Sequence, residues 1–350
     1  MVRSFFAIAI FILMVGCAAS QTINDFSVGT GGGRDYSTFT SCETNENDSE
    51  DYVTNNVINR CVGYNDSVFD ENVDVAGATA VSSTQYFVIT VASGERHDGT
   101  FGSGARISRS SGFDYVIDIN QDFTRVEYLE LQRTTGGNNA ILHSDNAGIG
   151  GLYFEYLLID GGGASDRVID TDGDANTSRI NGCAIIDADA NALIEITAGT
   201  WEIYYTSGYL SGSVGLNTFA AATITAKNVW MLGTTGNSFT NIDTPSYLIG
   251  DDTSPSGTGS LDSRTITAST SPGSGDWVIV ENITAGSENL TLVSNAENDA
   301  ENAGDPVSGI TEDHDGDTIA NPPDIGYDEI ASGGGGGAYK KKRVNIIIVK

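Results

Sequence analysis

A pattern that returns every 25 or so residues is what most narrows the folds open to this chain. Tyr115-Val116-Ile117-Asp118-Ile119, Ala140-Ile141-Leu142-His143-Ser144, Arg167-Val168-Ile169-Asp170-Thr171 and Ala192-Leu193-Ile194-Glu195-Ile196 share one apolar rhythm. Their second residues lie at 116, 141, 168 and 193, spacings of 25, 27 and 25. A second apolar stretch follows each, at 126–131, 154–159, 182–186 and 201–205, and another unit on come 223–225 and 228–232. Gly, Asn, Asp and Ser separate these stretches, as turns between short strands require.

One such unit cannot bury its own apolar face, whereas stacked units build a continuous core. Leucine-rich repeats have periods in this range, but their Leu-x-x-Leu-x-Leu signature is absent. An antiparallel sandwich spaces its strands regularly without needing the same sequence to recur. The expected fold is therefore all-β: a right-handed parallel β-helix solenoid over 106–300, preceded by an N-terminal cap and first rungs over 21–105. A short helix is expected near 37–59 and a strand over 86–91. A closing segment over 301–331 and a Gly linker with a basic and apolar tail over 332–350 complete the chain. An open end rung is an unpaired sheet edge, which is why a cap is expected.

The body is strongly acidic. The whole chain has a formal charge of −30, yet residues 1–20 and 332–350 contain no acid, so the stretch between them sets 47 acids against 11 Lys and Arg. Such a surface repels phosphate backbones and argues against a nucleic-acid partner. It suits solubility, or binding of divalent cations.

The first 20 residues read as a signal peptide: Arg3, then an apolar run from Phe5 to Val15 that is too short for a comfortable membrane span. Ala18-Ala19-Ser20 offers one processing site with a mature start at Gln21. Met14-Val15-Gly16-Cys17 resembles a lipobox, with Cys17 as a possible lipid anchor and Met14 where Leu is usual. Either route predicts a secreted or cell-envelope protein. An oxidising compartment would let Cys42 and Cys61 pair, while Cys183, inside an apolar run, reads as a buried free thiol.

Gly29–Gly33 leading into Asp35-Tyr36-Ser37-Thr38-Phe39 lacks the Gly-Lys-Ser/Thr ending of a phosphate loop. It resembles instead the N-terminal cap of the pectin-lyase-like superfamily. Together with Gly94-Glu95-Arg96-His97-Asp98-Gly99, it is similar to right-handed β-helix proteins of environmental bacteria and phages, with Cys42 where those often carry Trp. Asp313-His314-Asp315-Gly316-Asp317 and the later Pro323-Asp324-Ile325-Gly326-Tyr327-Asp328-Glu329 resemble the closing segment of such solenoids. The resemblance spans roughly 29–330 and implies fold far more than function, because this fold hosts lyases, hydrolases, esterases, adhesins and viral spikes.

No catalytic site is assigned from the sequence. By strand spacing Asp118, Ser144, Thr171 and Thr197 fall at near-equivalent places, so no carboxylate pair for glycoside hydrolysis lines up. Polygalacturonase-like, pectate-lyase, pectin-esterase and Gly-x-Ser-x-Gly patterns are missing, and the three histidines read as structural. Asp170, Asp172 and Asp174 alternate, as do Asp313, Asp315 and Asp317. Each set could turn its carboxylates toward one hard cation, so Ca2+ is a possible ligand but not a required cofactor; a solvated Asp/Gly turn is the ordinary alternative. Trp201, Tyr204, Tyr205 and Trp230 are candidate ligand-binding residues if their rings face solvent and stack on sugars; burial in the core is the alternative. The tail's Val344–Val349 run, led by Lys340–Arg343, could add to a partner's sheet edge. The sequence thus points to an exported surface protein, or a virion-associated one, for adhesion to a glycan or cell-surface polysaccharide. A polysaccharide lyase or glycoside hydrolase is the second reading. The export signal favours the cell envelope over a virion.

Overall fold

One apolar residue from each unit points toward a common axis. Cys61, Ile89, Val126, Phe154, Ile180, Ile203 and Ala226 are all fully buried, and each stands in register with the next across a parallel ladder. The computed structural model describes residues 20–330, apart from 111–114, 135–139, 145–147, 163–166, 172–175, 188–190, 211, 270–271, 273–274 and 285–288. The chain forms a parallel β-solenoid of about six turns.

From Val57 to Leu232 each turn contributes to three ladders. The first sheet runs through Thr22–Val28, Val57–Gly63, Phe87–Val91, Arg125–Glu127, Tyr153–Glu155 and Thr177–Asn181. The second runs through Val68–Phe69, Arg106–Arg109, Glu130–Arg133, Leu158–Asp160 and Ala184–Asp187. The third runs through Val73–Val75, Ile117–Ile119, Leu142–Ser144 and Arg167–Thr171. Two long strands, Ala192–Leu210 and Val214–Leu232, then serve all three ladders in turn, and Thr244–Gly250 adds the last rung. The register Ile117↔Leu142↔Ile169↔Ile194 reproduces the 25, 27, 25 spacing of the repeat.

The stretches 126–131 and 154–159 are not single strands. Each breaks at a tyrosine in the left-handed region, Tyr128 (φ 61°) and Tyr156 (φ 57°). Gly182 (φ 61°), Tyr205 (φ 43°), Asn228 (φ 57°) and Tyr247 (φ 54°) repeat the corner on later rungs. One residue there swings the chain from the first sheet to the second. The corner amide then bonds the next rung: Tyr128 N–H to Glu155 O (3.0 Å), Tyr156 N–H to Asn181 O (2.8 Å), Gly182 N–H to Tyr204 O (3.1 Å). Those bonds offset the roughly 1–2 kcal/mol that a side chain costs in this conformation.

At the N-terminal end the helices Phe39–Glu46 and Tyr52–Asn55 occupy the region expected to hold one helix. Phe39 and Cys42 are fully buried, the Glu71 carboxylate accepts the Phe39 and Thr40 amides at 2.9 Å, and Cys42 is disulfide-bonded to Cys61. Cys183 is a buried free thiol.

The stacked rungs stop short of residue 300. Thr265–Thr267, Trp277–Asn282 and Asn289–Leu292 form a separate three-stranded sheet with one antiparallel pair. Val278, Val280, Leu290 and Leu292 from it pack with Ile325 and Tyr327 onto Leu158, Ile186, Trp230 and Leu232. On its later rungs the second sheet is therefore apolar on both faces: one lines the solenoid, the other is covered by the C-terminal region, whereas the earlier rungs turn Arg106, Glu130, Gln132 and Asp160 outward.

Candidate functional site

Because side chains alternate along a strand, the neighbours of the inward column on the first sheet point outward. They form two columns. Arg60, Val88, Arg125, Tyr153, Arg179 and Glu202 stand in register in the first. Glu127, Glu155, Asn181, Tyr204 and Lys227 stand in register in the second. Four of the eleven Lys and Arg of this acidic body thus share one face. Arg96 joins them at the margin, with its guanidinium 3.4 Å from the Tyr128 ring centroid.

The columns are cross-braced. The Arg125 guanidinium lies between the Tyr86 and Tyr153 rings, 4.2 and 4.6 Å from their centroids. Arg179 lies 5.5 Å from Tyr153 and 5.9 Å from Tyr204, donates to Glu202 at 2.7 Å and stands 4.0 Å from Glu155. Glu127 and Glu155 occupy adjacent rungs, about 4.7–4.9 Å apart along the axis. Burial raises the pKa of both, and the Glu155 charge raises Glu127 further, while Arg125 opposes the rise at each. Planar hydrogen-bonding groups beside half-buried rings suit polar, ring-shaped ligands. A carboxylate pair with raised proton affinity is also what acid–base chemistry uses.

Sequence spacing missed Arg125, Glu127, Tyr153, Glu155 and Arg179 as a site. The signal was there: Arg-Val-Glu, Tyr-Phe-Glu, Arg-Ile-Asn and Glu-Ile-Tyr share an inward residue between two outward ones, but only when the second strand of each unit is aligned. The same register corrects the expectation that no acids align on the third sheet. Asp118 is level with His143, Asp170 and Glu195, rather than with Ser144, Thr171 and Thr197. His143 Nδ1 lies 2.8 Å from Asp118 Oδ1, and Arg167 bridges Asp170 (2.9 Å) and Glu195 (2.7 Å). The Tyr115 ring stacks on His143 at 3.5 Å.

The four candidate sugar-stacking aromatics do not make a common platform. Trp201 is fully buried inside the solenoid, 6.0 Å from the Phe154 ring. Trp230 points outward but is fully buried beneath the C-terminal region. Tyr205 sits at a corner, and its hydroxyl accepts the Val307 amide at 3.2 Å. Tyr204 alone lies on the Arg/Glu/Tyr face, and it is mostly buried there. Apolar area removed from water outweighs what an exposed ring would gain by waiting for a ligand.

Of the acidic clusters, Asp172 and Asp174 lie outside the described residues, and Asp170 already has a cation in Arg167. In the second cluster Asp313 accepts the Asp315, Gly316 and Asp317 amides on Oδ1 at 3.3, 3.1 and 2.8 Å and the Glu329 amide on Oδ2 at 3.0 Å. Asp313 and Asp315 converge with His314, their donor atoms lying within 4.8 Å of one another; the exposed Asp317 is not in that group. Two of the three expected carboxylates, Asp313 and Asp315, thus stand together beside His314.

The closing segment carrying this cluster runs back along the solenoid. Asn228 exchanges two hydrogen bonds with Asp305, Lys227 pairs with Asp305, Tyr156 Oη donates to Glu312 O at 3.3 Å, and the Ser207 hydroxyl accepts the Tyr327 amide at 3.0 Å. A crevice between segment and corner is lined by Tyr156, Asn181, Gly182, Tyr205, Asp313 and Asp328, among others. No helix among the described residues is long and apolar enough to cross a membrane. Compared with protein families, curated proteins and solved structures, the chain matches none.

Proposed function

We propose that the chain is an exported, surface-displayed solenoid of the pectin-lyase-like type that adheres to a polysaccharide through the outer face of its first sheet. The Arg125–Tyr153–Arg179 column carries this reading: cations scarce in the rest of the body are held rigid between aromatic rings on successive rungs. A face whose groups recur at each rung suits a polymer that has a repeat of its own. The guanidinium groups favour a glycan bearing carboxylates or sulfates, against the repulsion of the surrounding acids.

A second reading is cleavage of that polymer, supported by the adjacent Glu127 and Glu155 with their raised proton affinity. Glycosidases work with two such carboxyl groups. One experiment separates the two. Purified protein is run through gels containing acidic or neutral polysaccharides, and the same mixtures are assayed for reducing ends and unsaturated products. Retardation by acidic glycans without product supports adhesion; product that disappears in Glu127→Gln and Glu155→Gln supports the enzyme. Neither retardation nor product sinks both.

A further inference from the structure

The ring of His314 is fully buried, and neither of its nitrogens makes a hydrogen bond of normal length and angle, the Tyr327 backbone being a near polar neighbour. A buried imidazole in that state is expensive and calls for an explanation. The ring is fixed in place by His97, stacked at 5.6 Å, and by Tyr327 at 4.6 Å, so it cannot swing out to water. It faces acids instead. One of its nitrogens lies within 4.8 Å of carboxylate oxygens of both Asp313 and Asp315. Asp328 Oδ1 stands 3.8 Å from Nδ1, while its Oδ2 accepts the Leu292 amide. Asp313 Oδ2 accepts a single amide and keeps a lone pair.

We propose that Asp313, His314, Asp315 and Asp328 form a divalent-metal site of the zinc class that fastens the closing segment to the solenoid. A nitrogen among three carboxylates matches tetrahedral zinc better than calcium, which takes six to eight oxygens. Ligands of a tetrahedral zinc ion stand roughly 3.4 Å apart, given zinc–oxygen and zinc–nitrogen bonds near 2.1 Å. Asp313, His314 and Asp315 hold their donor atoms within 4.8 Å of one another, and Asp328 stands beside that group, 3.8 Å from the ring Nδ1. Asp313 and Asp315 come from the turn, Asp328 from the stretch beside the three-stranded sheet, and the His314 ring rests on His97 of the solenoid. An ion here therefore ties the two ends of the closing segment together against the rungs.

The test uses the tag-free full chain, stripped with a chelator and titrated separately with Zn2+, Co2+ and Ca2+. The expected result is one equivalent of Zn2+, competition by Co2+ with visible absorption bands of a nitrogen- and oxygen-ligated ion, and a higher melting temperature. Asp315→Asn, at an exposed position, should weaken Zn2+ at least tenfold without unfolding the metal-free protein; His314→Gln should abolish the cobalt spectrum. Absence of stoichiometric Zn2+ binding overturns the proposal. So does binding that Asp315→Asn leaves unchanged, or binding of Ca2+ in preference to Zn2+.

Discussion

The rings of His97 and His314 stack with centroids 5.6 Å apart and planes 13° from parallel. One belongs to the Gly94–Gly99 motif between early rungs, the other to the turn of the closing segment. Burial pushes the His97 imidazole down to about 3, with the neighbouring His314 adding to the shift. Its Nε2 is 2.8 Å from Tyr156 O. The folded state thus binds fewer protons than the unfolded chain below the ordinary histidine value of 6.5. The stability contributed by neutral His97 is complete above that value and is lost as pH falls from 6.5 toward 3. Melting curves between pH 7 and pH 4 should fall more steeply for the wild type than for His97→Gln. Parallel curves would remove His97 from the acid response.

Glu127 and Glu155 have the opposite sign. Their folded pKa values are raised, so each favours folding while protonated and opposes it as pH rises from the ordinary 4.5 through the raised value. Glu127→Gln should raise the melting temperature at pH 8 by a few degrees and change it little at pH 4.5. A variant that melts lower than wild type at pH 8 would mean that attraction to Arg125 outweighs burial.

Arg125→Ala removes a guanidinium from between two rings that are themselves held by the strands. Its cost to stability should be about 1 kcal/mol, the scale of half-exposed cation–π contacts. Retardation by an acidic polysaccharide should fall about tenfold or more, and Arg167→Ala, on the third sheet, should leave it unchanged. Equal losses in both variants would point to diffuse electrostatics in place of a defined face.

Asn228 serves two roles at one position. Its side chain donates to Asp305 O at 2.8 Å and accepts from Asp305 N at 3.0 Å, and its backbone holds φ 57°. Asn228→Ala should cost about 2–4 kcal/mol, from lost hydrogen bonds and left-handed strain. Hydrogen exchange should rise first in 301–330, ahead of the rungs. Uniform acceleration along the chain would show that the segment does not open separately.

The Cys42–Cys61 bridge closes a loop with a sequence separation of 19. Loop-closure entropy gives it about 3 kcal/mol. Cys42→Ala/Cys61→Ala should lower the melting temperature by several degrees, and reductant should then have no further effect. An unchanged melting temperature would mean that Phe39 and the Glu71 cap hold the helix without it.

The spacing of 116, 141, 168 and 193 was enough to determine stacked parallel strands, because only stacking buries a face that recurs with that period. The apolar run around Cys183 likewise announced a buried thiol, and the spacing left Cys42–Cys61 pairing open, which the fold then brought about. What the sequence by itself left undecided was depth and direction. Tyr128, Tyr156 and Tyr205 turn corners in a conformation that tyrosine disfavours, so nothing local marks them, and only bonds to the next rung make the turn worthwhile. Trp201 and Trp230 look alike in sequence, yet one lines the solenoid and the other lies under a sheet that comes from farther along the chain. Glu127 and Glu155 become a pair, and His97 meets His314, only when coiling removes the intervening residues from the distance between them. Period is a property of neighbours in the chain; contact between rungs and closing segment is decided by which surfaces remain to be covered once the rungs have formed.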